Sequence, residues 1–413
     1  MNSQTLTIND SIILHPVEKS NSFTGIKICD GKINVYVPQV FRYEKETFYK
    51  DILLFLKSLS LSKSPKNEKM TKGKEVKDSI WPFESYLWII KDYIENGYYY
   101  NREKVYSTNS GKIEWKKTLK NTPIYSNGNL IYDKFVTSKM SATNDMIAQI
   151  YRLCLKQSIQ KIGWLFSFNM YVDVQQIISK KEMIYRVKQE LNNTFDDIKR
   201  LRFNHMLKIL TETEGENIIS KSYMYGIENY YYVYETMIDM FFDGIKQDKK
   251  NYNPNGYWKL DNQAAVVASS LRPDTIIKRK DITCILDAKM YKYGVTHNVD
   301  DLPETQSIQK QITYGDYIMN ALGEENVRNA FIIPYDKELE KFQEDTNITY
   351  YNNRVLAYIG YAYADWREGS NNSLAHDKIY TFLIDYNYLL RNYRKVDEEM
   401  IDTLCSTILE RSK

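Results

Sequence analysis

The stretch at residues 269–294, SSLRPDTIIKRKDITCILDAKMYKYG, sets an Arg-Pro-Asp turn thirteen residues ahead of an Asp-Ala-Lys that closes a short apolar run. Two β-prone segments flank the Lys-Asp at 280–281, predicting strands near 273–279 and 282–288. Side chains alternate along a strand, so Asp287 and Lys289 project from one face. If the two strands pair as a hairpin, Asp274 joins them, giving two hard oxygen ligands for Mg²⁺ and a lysine beside the water to be activated. Attack on a phosphodiester adds negative charge to an anionic centre, so a divalent cation has to offset it, and this cluster suits that hydrolysis. The plain alternative is a strand-end ion pair, since D-x-K arises by chance in most long chains.

The surroundings narrow that choice. Ile282, Cys284, Ile285 and Leu286 form a buried-strand run leading into the triplet. The order of predicted elements is a helix near 230–245, strands near 264–270, 273–279 and 282–288, a helix near 304–322, and a strand at AFIIPY. Pro273-Asp274 with Asp287-Ala288-Lys289 resembles the PD-(D/E)XK nuclease signature, with Asp in the (D/E) position. That resemblance implies a mixed α/β (α+β) fold, a restriction-endonuclease-like core in which helices flank a central mixed sheet.

It also implies a carboxylate on the helix before the hairpin and a polar residue on the helix after it. In YYYVYETMIDMFF the candidate is Glu235, expected to aim its carboxylate at the metal as a third ligand beside Asp274 and Asp287, with Asp239 one helical turn later as the alternative. In QSIQKQITYGDYI, Gln311 and Tyr314 stand where such nucleases place a Q-and-Y motif beside the scissile phosphate, and Lys310 is a further phosphate-contact candidate.

At a finer level the chain is similar to the LlaJI family of restriction endonucleases, relatives of the McrC subunit of the McrBC system. The likeness rests on ENGYYYNREKVY (95–106), GKIEWKKTLKNTPIY (111–125), IQKIGWLF (159–166), then VYE, LRPD, LDAKMYKYG and KQITYGDYI. It implies a Mg²⁺-dependent type II endonuclease acting on double-stranded DNA in a restriction system, partnered by a McrB-like AAA+ GTPase and paired functionally with a cytosine DNA methyltransferase. No G-x-x-x-x-G-K-[ST] occurs, so a nucleotide-driven step is expected from another polypeptide. A repair or recombination nuclease on the same scaffold, or a chiefly regulatory subunit that stimulates a partner NTPase, are the competing readings.

At 413 residues the chain exceeds what one hydrophobic core supports and should divide. The expected parts are an N-terminal β-rich module at 1–60, a polar lysine-rich linker at 61–79, a middle helical and β region at 80–199, and the nuclease domain at 200–413. In the first, Asp30-Gly31 reads as a hairpin turn. In the middle region helices are expected near 143–161 and 181–213, the latter with Ile184, Val187, Leu191, Phe195 and Ile198 on its apolar face. Lys116 and Lys117 are DNA-contact candidates there, and a partner surface or a solvated β element explains them equally.

Composition excludes several classes. A balance of 56 basic against 53 acidic residues announces no nucleic-acid partner by itself, and 36 Tyr fit an AT-rich coding bias as well as base stacking. The four Cys form no C-x-x-C pair and the four His show no ligand spacing, so neither a zinc knuckle nor a disulfide framework is expected. No signal peptide or apolar membrane span is visible, and a cytoplasmic chain is expected.

Overall fold

A computed structural model of the chain describes residues 6–9, 11–18, 22–29, 32–63, 82–108, 110–127, 129–143, 146–166, 171–176, 178–212, 223–279, 281–367 and 375–412. They fall into two compact units, one of Met1–Ser79 with Ile219–Lys413 and one of Ile80–Ile218. The expected linker lies outside the described residues from position 64 onward. The N-terminal residues form no unit of their own: they fold with the C-terminal half.

In the first unit the chain begins with β1 (Leu6–Asn9), β2 (Ile12–Val17), β3 (Thr24–Cys29) and β4 (Lys32–Pro38). Cys29 pairs with Lys32 across the β3–β4 hairpin, while the Asp30-Gly31 turn itself lies outside the described residues. Helix α1 (Phe48–Ser58) then buries Phe48, Ile52, Phe55 and Leu56, the i, i+4, i+7, i+8 stripe of an amphipathic helix.

The second unit holds α2 (Phe83–Asn96), strands β5 (Asn101–Ser107), β6 (Lys112–Ile113), β7 (Ile124–Ser126), β8 (Asn129–Ile131) and β9 (Thr137–Thr143), then α3 (Met146–Ile162), α4 (Lys180–Asn193) and α5 (Asp197–Thr211). Its helices are pinned by Asp92 of α2, which accepts both guanidinium bonds of Arg202 at 2.8 Å and the Tyr151 hydroxyl at 3.0 Å. The helix expected over 181–213 is in fact two. Asp196 caps a fresh start, accepting the Lys199 N–H at 2.9 Å. The restart resets the helical phase, so Ile184 and Val187 are buried while Phe195 is 93% and Ile198 63% exposed.

The chain returns to the first unit with β10 (Tyr223–Ile227), which pairs antiparallel with β3 and completes a sheet of order β1-β2-β4-β3-β10. Then follow α6 (Tyr231–Phe241), a ribbon of β11 (Asn255–Trp258) and β12 (Val266–Ser270), and β13 (Thr275–Arg279) and β14 (Ile282–Ala288). Helix α7 (Thr305–Leu322) crosses to β15 (Val327–Tyr335), and β16 (Thr349–Tyr351), β17 (Leu356–Ala362), β18 (Ile379–Asp385), α8 (Tyr386–Asn392) and α9 (Glu398–Ser412) close the chain.

The second sheet has the order β13-β14-β15-β18-β17-β16. Its central strands β14, β15 and β18 run parallel and are buried throughout, as strands covered on both faces must be. On β14, Cys284 faces Cys405 of α9 at 3.9 Å, whereas its neighbour Ile285 packs with Tyr314 and Ile318 of α7. Because adjacent strand residues point to opposite faces, α7 and α9 cover the sheet from opposite sides. This is the mixed α/β core with flanking helices that the sequence predicts.

Ion pairs tie the N-terminal segment to the end of that sheet. Arg42 reaches Asp385 at 3.0 Å and Asp336 at 2.5 Å, and Arg391 reaches Asp51 at 2.6 Å and Glu44 at 2.7 Å. Asp51 is only 1% exposed, so removing its cation strands a buried charge. Arg391→Met should therefore lower stability by about 3 kcal/mol, measured by urea denaturation. A loss under roughly 1 kcal/mol would mean that the tie is only a surface pair.

Candidate active site

The predicted hairpin sets the site. Strands β13 and β14 pair antiparallel with Thr275 opposite Leu286, and one step further the same register brings Asp274 across from Asp287. The turn before β13 is held from several directions. Pro273 restricts its backbone, Asp274 Oδ2 accepts the Ala288 N–H at 3.1 Å, the Tyr314 hydroxyl donates to the Arg272 carbonyl at 2.9 Å, and Lys249 Nζ donates to the Asp274 carbonyl at 2.5 Å.

A cavity of about 580 Å³ opens over this point. Glu235 of α6, Asp274, Asp287, Lys289 and Lys310 of α7 all line it, so five residues singled out from the sequence converge. Asp239, the alternative to Glu235, does not line it: its carboxylate takes Lys249 at 2.9 Å and the Thr275 hydroxyl at 3.2 Å.

The charges are unevenly poised. Burial pushes the Asp274 carboxyl well above the ordinary carboxylate range, and Asp287 and then Glu235 push it further, against the pull of Lys289. Burial by itself would lower Lys289, but Asp287 and Asp274 outweigh it, so the ammonium is held above its usual pKa. Lys289 is thus a cation beside two acids, and is not a free amine base. Its Nζ stands 2.6 Å from Asp287 Oδ2, yet that buried oxygen accepts no well-directed hydrogen bond among the described residues.

A buried carboxylate that faces a second carboxylate and has the Lys289 ammonium beside its Oδ2 fits a hard divalent cation. Asp274 and Asp287 could hold it. Glu235 forms no tight three-ligand group with them. Among the described residues the one trio of ligand atoms all within 4.8 Å is Asp316, His376 and Asp377, and Arg367 already pairs with both of those acids at 2.5 and 2.9 Å.

Gln311 and Tyr314 are where the structure departs from expectation. Both are fully buried and neither lines the cavity. The Gln311 amide donates to the Ala330 carbonyl at 3.1 Å and to that of Ile285 at 3.5 Å, bridging β14 and β15, while the Tyr314 ring packs with Ile276 and Ile285. Their i, i+3 spacing puts both on the inward face of α7. Lys116 and Lys117 belong to the other unit, both exposed, with Lys117 Nζ 3.1 Å above the Tyr106 ring. Sequence reasoning missed Arg272, Tyr231, Tyr232 and Tyr291, which share the cavity wall. The available signal was adjacency, since Arg272 precedes the Pro-Asp turn and Tyr291 follows Asp-Ala-Lys by two.

The raised Asp274 carboxyl has a consequence for stability. The folded chain keeps a proton that the unfolded chain releases, so this contribution is present below the unfolded carboxylate range and lost as pH rises towards the folded value. Without divalent cation, Asp274→Asn should melt a few degrees above wild type near pH 8, with the gap narrowing towards about pH 5 and on adding Mg²⁺. A variant that melts lower at both pH values contradicts the assignment of a strained acid pair.

Residues 34–359 match the family described as LlaJI restriction endonuclease. No curated protein matches the chain. Among solved structures, a chain from the cryo-EM structure of the Thermococcus gammatolerans McrBC complex is 14% identical, covering 51% of this chain and 62% of that one at a TM-score of 0.20. The match thus spans less than two thirds of that neighbour's length. No helix among the described residues is long and apolar enough to cross a membrane.

Proposed function

The chain belongs to the LlaJI restriction endonuclease family, and from that premise we propose that it is a Mg²⁺-dependent endonuclease that hydrolyses phosphodiester bonds in double-stranded DNA through a PD-(D/E)XK site. The observation that carries the reading is the convergence of Asp274, Asp287, Lys289 and Glu235 on one cavity at the hairpin end.

In this reading Asp274 and Asp287 hold Mg²⁺, which when bound supplies positive charge to the scissile phosphate and makes water more acidic. Lys289 orients or activates the attacking water and offsets charge developing on the phosphate. Glu235 assists from the cavity wall on α6, adding a third carboxylate to the field around the metal and water. Lys310 supplies a phosphate contact from α7. Gln311 acts at one remove, as a positioning residue that locks β14 against β15. The wider setting is a restriction system of type II or McrC-like organisation, with a McrB-like AAA+ GTPase as motor and a cytosine DNA methyltransferase as its protective counterpart. The sequence likeness to that family and the lack of a phosphate-cradling loop in this chain support that setting.

Plasmid cleavage in Mg²⁺, with and without a co-purified motor subunit and GTP, tests the site. Asp274→Asn, Asp287→Asn and Lys289→Ala should each cut at least ~100-fold more slowly than wild type while melting as cooperatively. Wild-type rates from the Lys289 or Asp274 variants would sink the catalytic assignment.

A further inference from the structure

Among the described residues the ribbon of β11 and β12 joins no other sheet, and every one of its strand residues but Ser270 is exposed. Tyr257 pairs across it with Val267, and Trp258 with Val266. Successive residues point to opposite faces, so each face carries one aromatic and aliphatic pair. Trp258 is 69% and Tyr257 61% exposed. A lone two-stranded hairpin is marginal in water, and large apolar groups on both its faces add nothing to the chain's own core.

The return strand does not end in solvent. From β12 the chain passes straight into the cavity wall through Ser270, Leu271 and Arg272, with Asp274 two residues beyond. Arg272 is exposed, lines the cavity, and pairs with no carboxylate among the described residues. Its backbone is already fixed, because its carbonyl takes the buried Tyr314 hydroxyl.

We infer that this ribbon is a DNA-binding arm that lies in a groove of the duplex on one side of the scissile bond, with the Arg272 guanidinium at its root holding a neighbouring phosphate. The inference rests on the nuclease reading above. Duplex DNA is the occupant because the arm is continuous with the cavity where the scissile phosphate would sit, and because an exposed guanidinium with no carboxylate partner among the described residues stands at the junction. The dimensions agree. The five residues of β12 span about 17 Å at ~3.3 Å each, which is roughly five base pairs, and a two-stranded ribbon fits the major groove. There the exposed rings would pack on sugars or base edges.

The test is fluorescence-anisotropy titration of a labelled duplex of about 40 base pairs in Ca²⁺, for wild type, Y257A/W258A and R272A. Plasmid cleavage in Mg²⁺ and light-scattering mass are measured in parallel. Both variants should bind roughly tenfold more weakly, and for R272A the slope of log affinity against log salt should fall by about one. Both should melt as wild type does, since the arm is solvated, and both should bind Ca²⁺ by calorimetry unchanged. Unaltered duplex affinity in both variants, with wild type still cutting, overturns the arm alone. A drop in mass for Y257A/W258A with duplex affinity per protomer unchanged also overturns it, and assigns the ribbon to a second copy of this chain. A wild-type protein that neither binds duplex nor cuts it, with its motor present, fails the nuclease reading instead.

Discussion

Two carboxylates held face to face at the buried end of a hairpin are the constraint around which the first unit is built. The β13–β14 register leaves Asp274 and Asp287 no alternative to facing one another, and desolvation and the neighbouring acid raise the Asp274 carboxyl so that the pair resists ionising together. A free loop would swing the acids apart. Here Pro273, the Tyr314 hydroxyl, Lys249 and the Ala288 amide prevent it. The Gln311 bridge in turn fixes β14, which carries Asp287, against β15.

Such an arrangement costs stability in the metal-free chain and is kept where it serves chemistry. The ammonium of Lys289, 2.6 Å from Asp287 Oδ2, offsets part of the cost. The second cluster of acids, around His376, behaves differently. There Arg367 pairs with both Asp316 and Asp377, and His376 Nε2 stands 2.8 Å from Asp316.

Legibility followed the range of the interactions. The hairpin, its charged ending and the helices on either side could be read because strand alternation and helical period are local. Gln311 and Tyr314 could not be placed, because an i, i+3 pair tells which residues share a face of α7 but not whether that face meets a cavity or a core. Phe195 and Ile198 continued an apolar period on paper, yet Asp196 offered a cap that restarted the helix, and the local bond outweighed the pattern. The ribbon at 255–270 was half seen, as a strand near 264–270 whose partner carries Asn-Pro-Asn-Gly, a turn-like string.

By itself the sequence determined which acids and which lysine end the hairpin, that their strands are apolar enough to be buried, and that the core is a mixed sheet between helices. Those features depend on side-chain type and spacing, which the chain carries wherever it folds. Only the tertiary structure decided that the N-terminal strands share a unit with residues 219–413, through β3 pairing with β10 and through Arg42 and Arg391. It alone separated Glu235 from Asp239, and brought Arg272, Lys310 and Tyr291 to the wall that Asp274 and Asp287 face. Such pairings join residues far apart in the chain, and their energy comes from burial and charge in three dimensions, which no local period encodes.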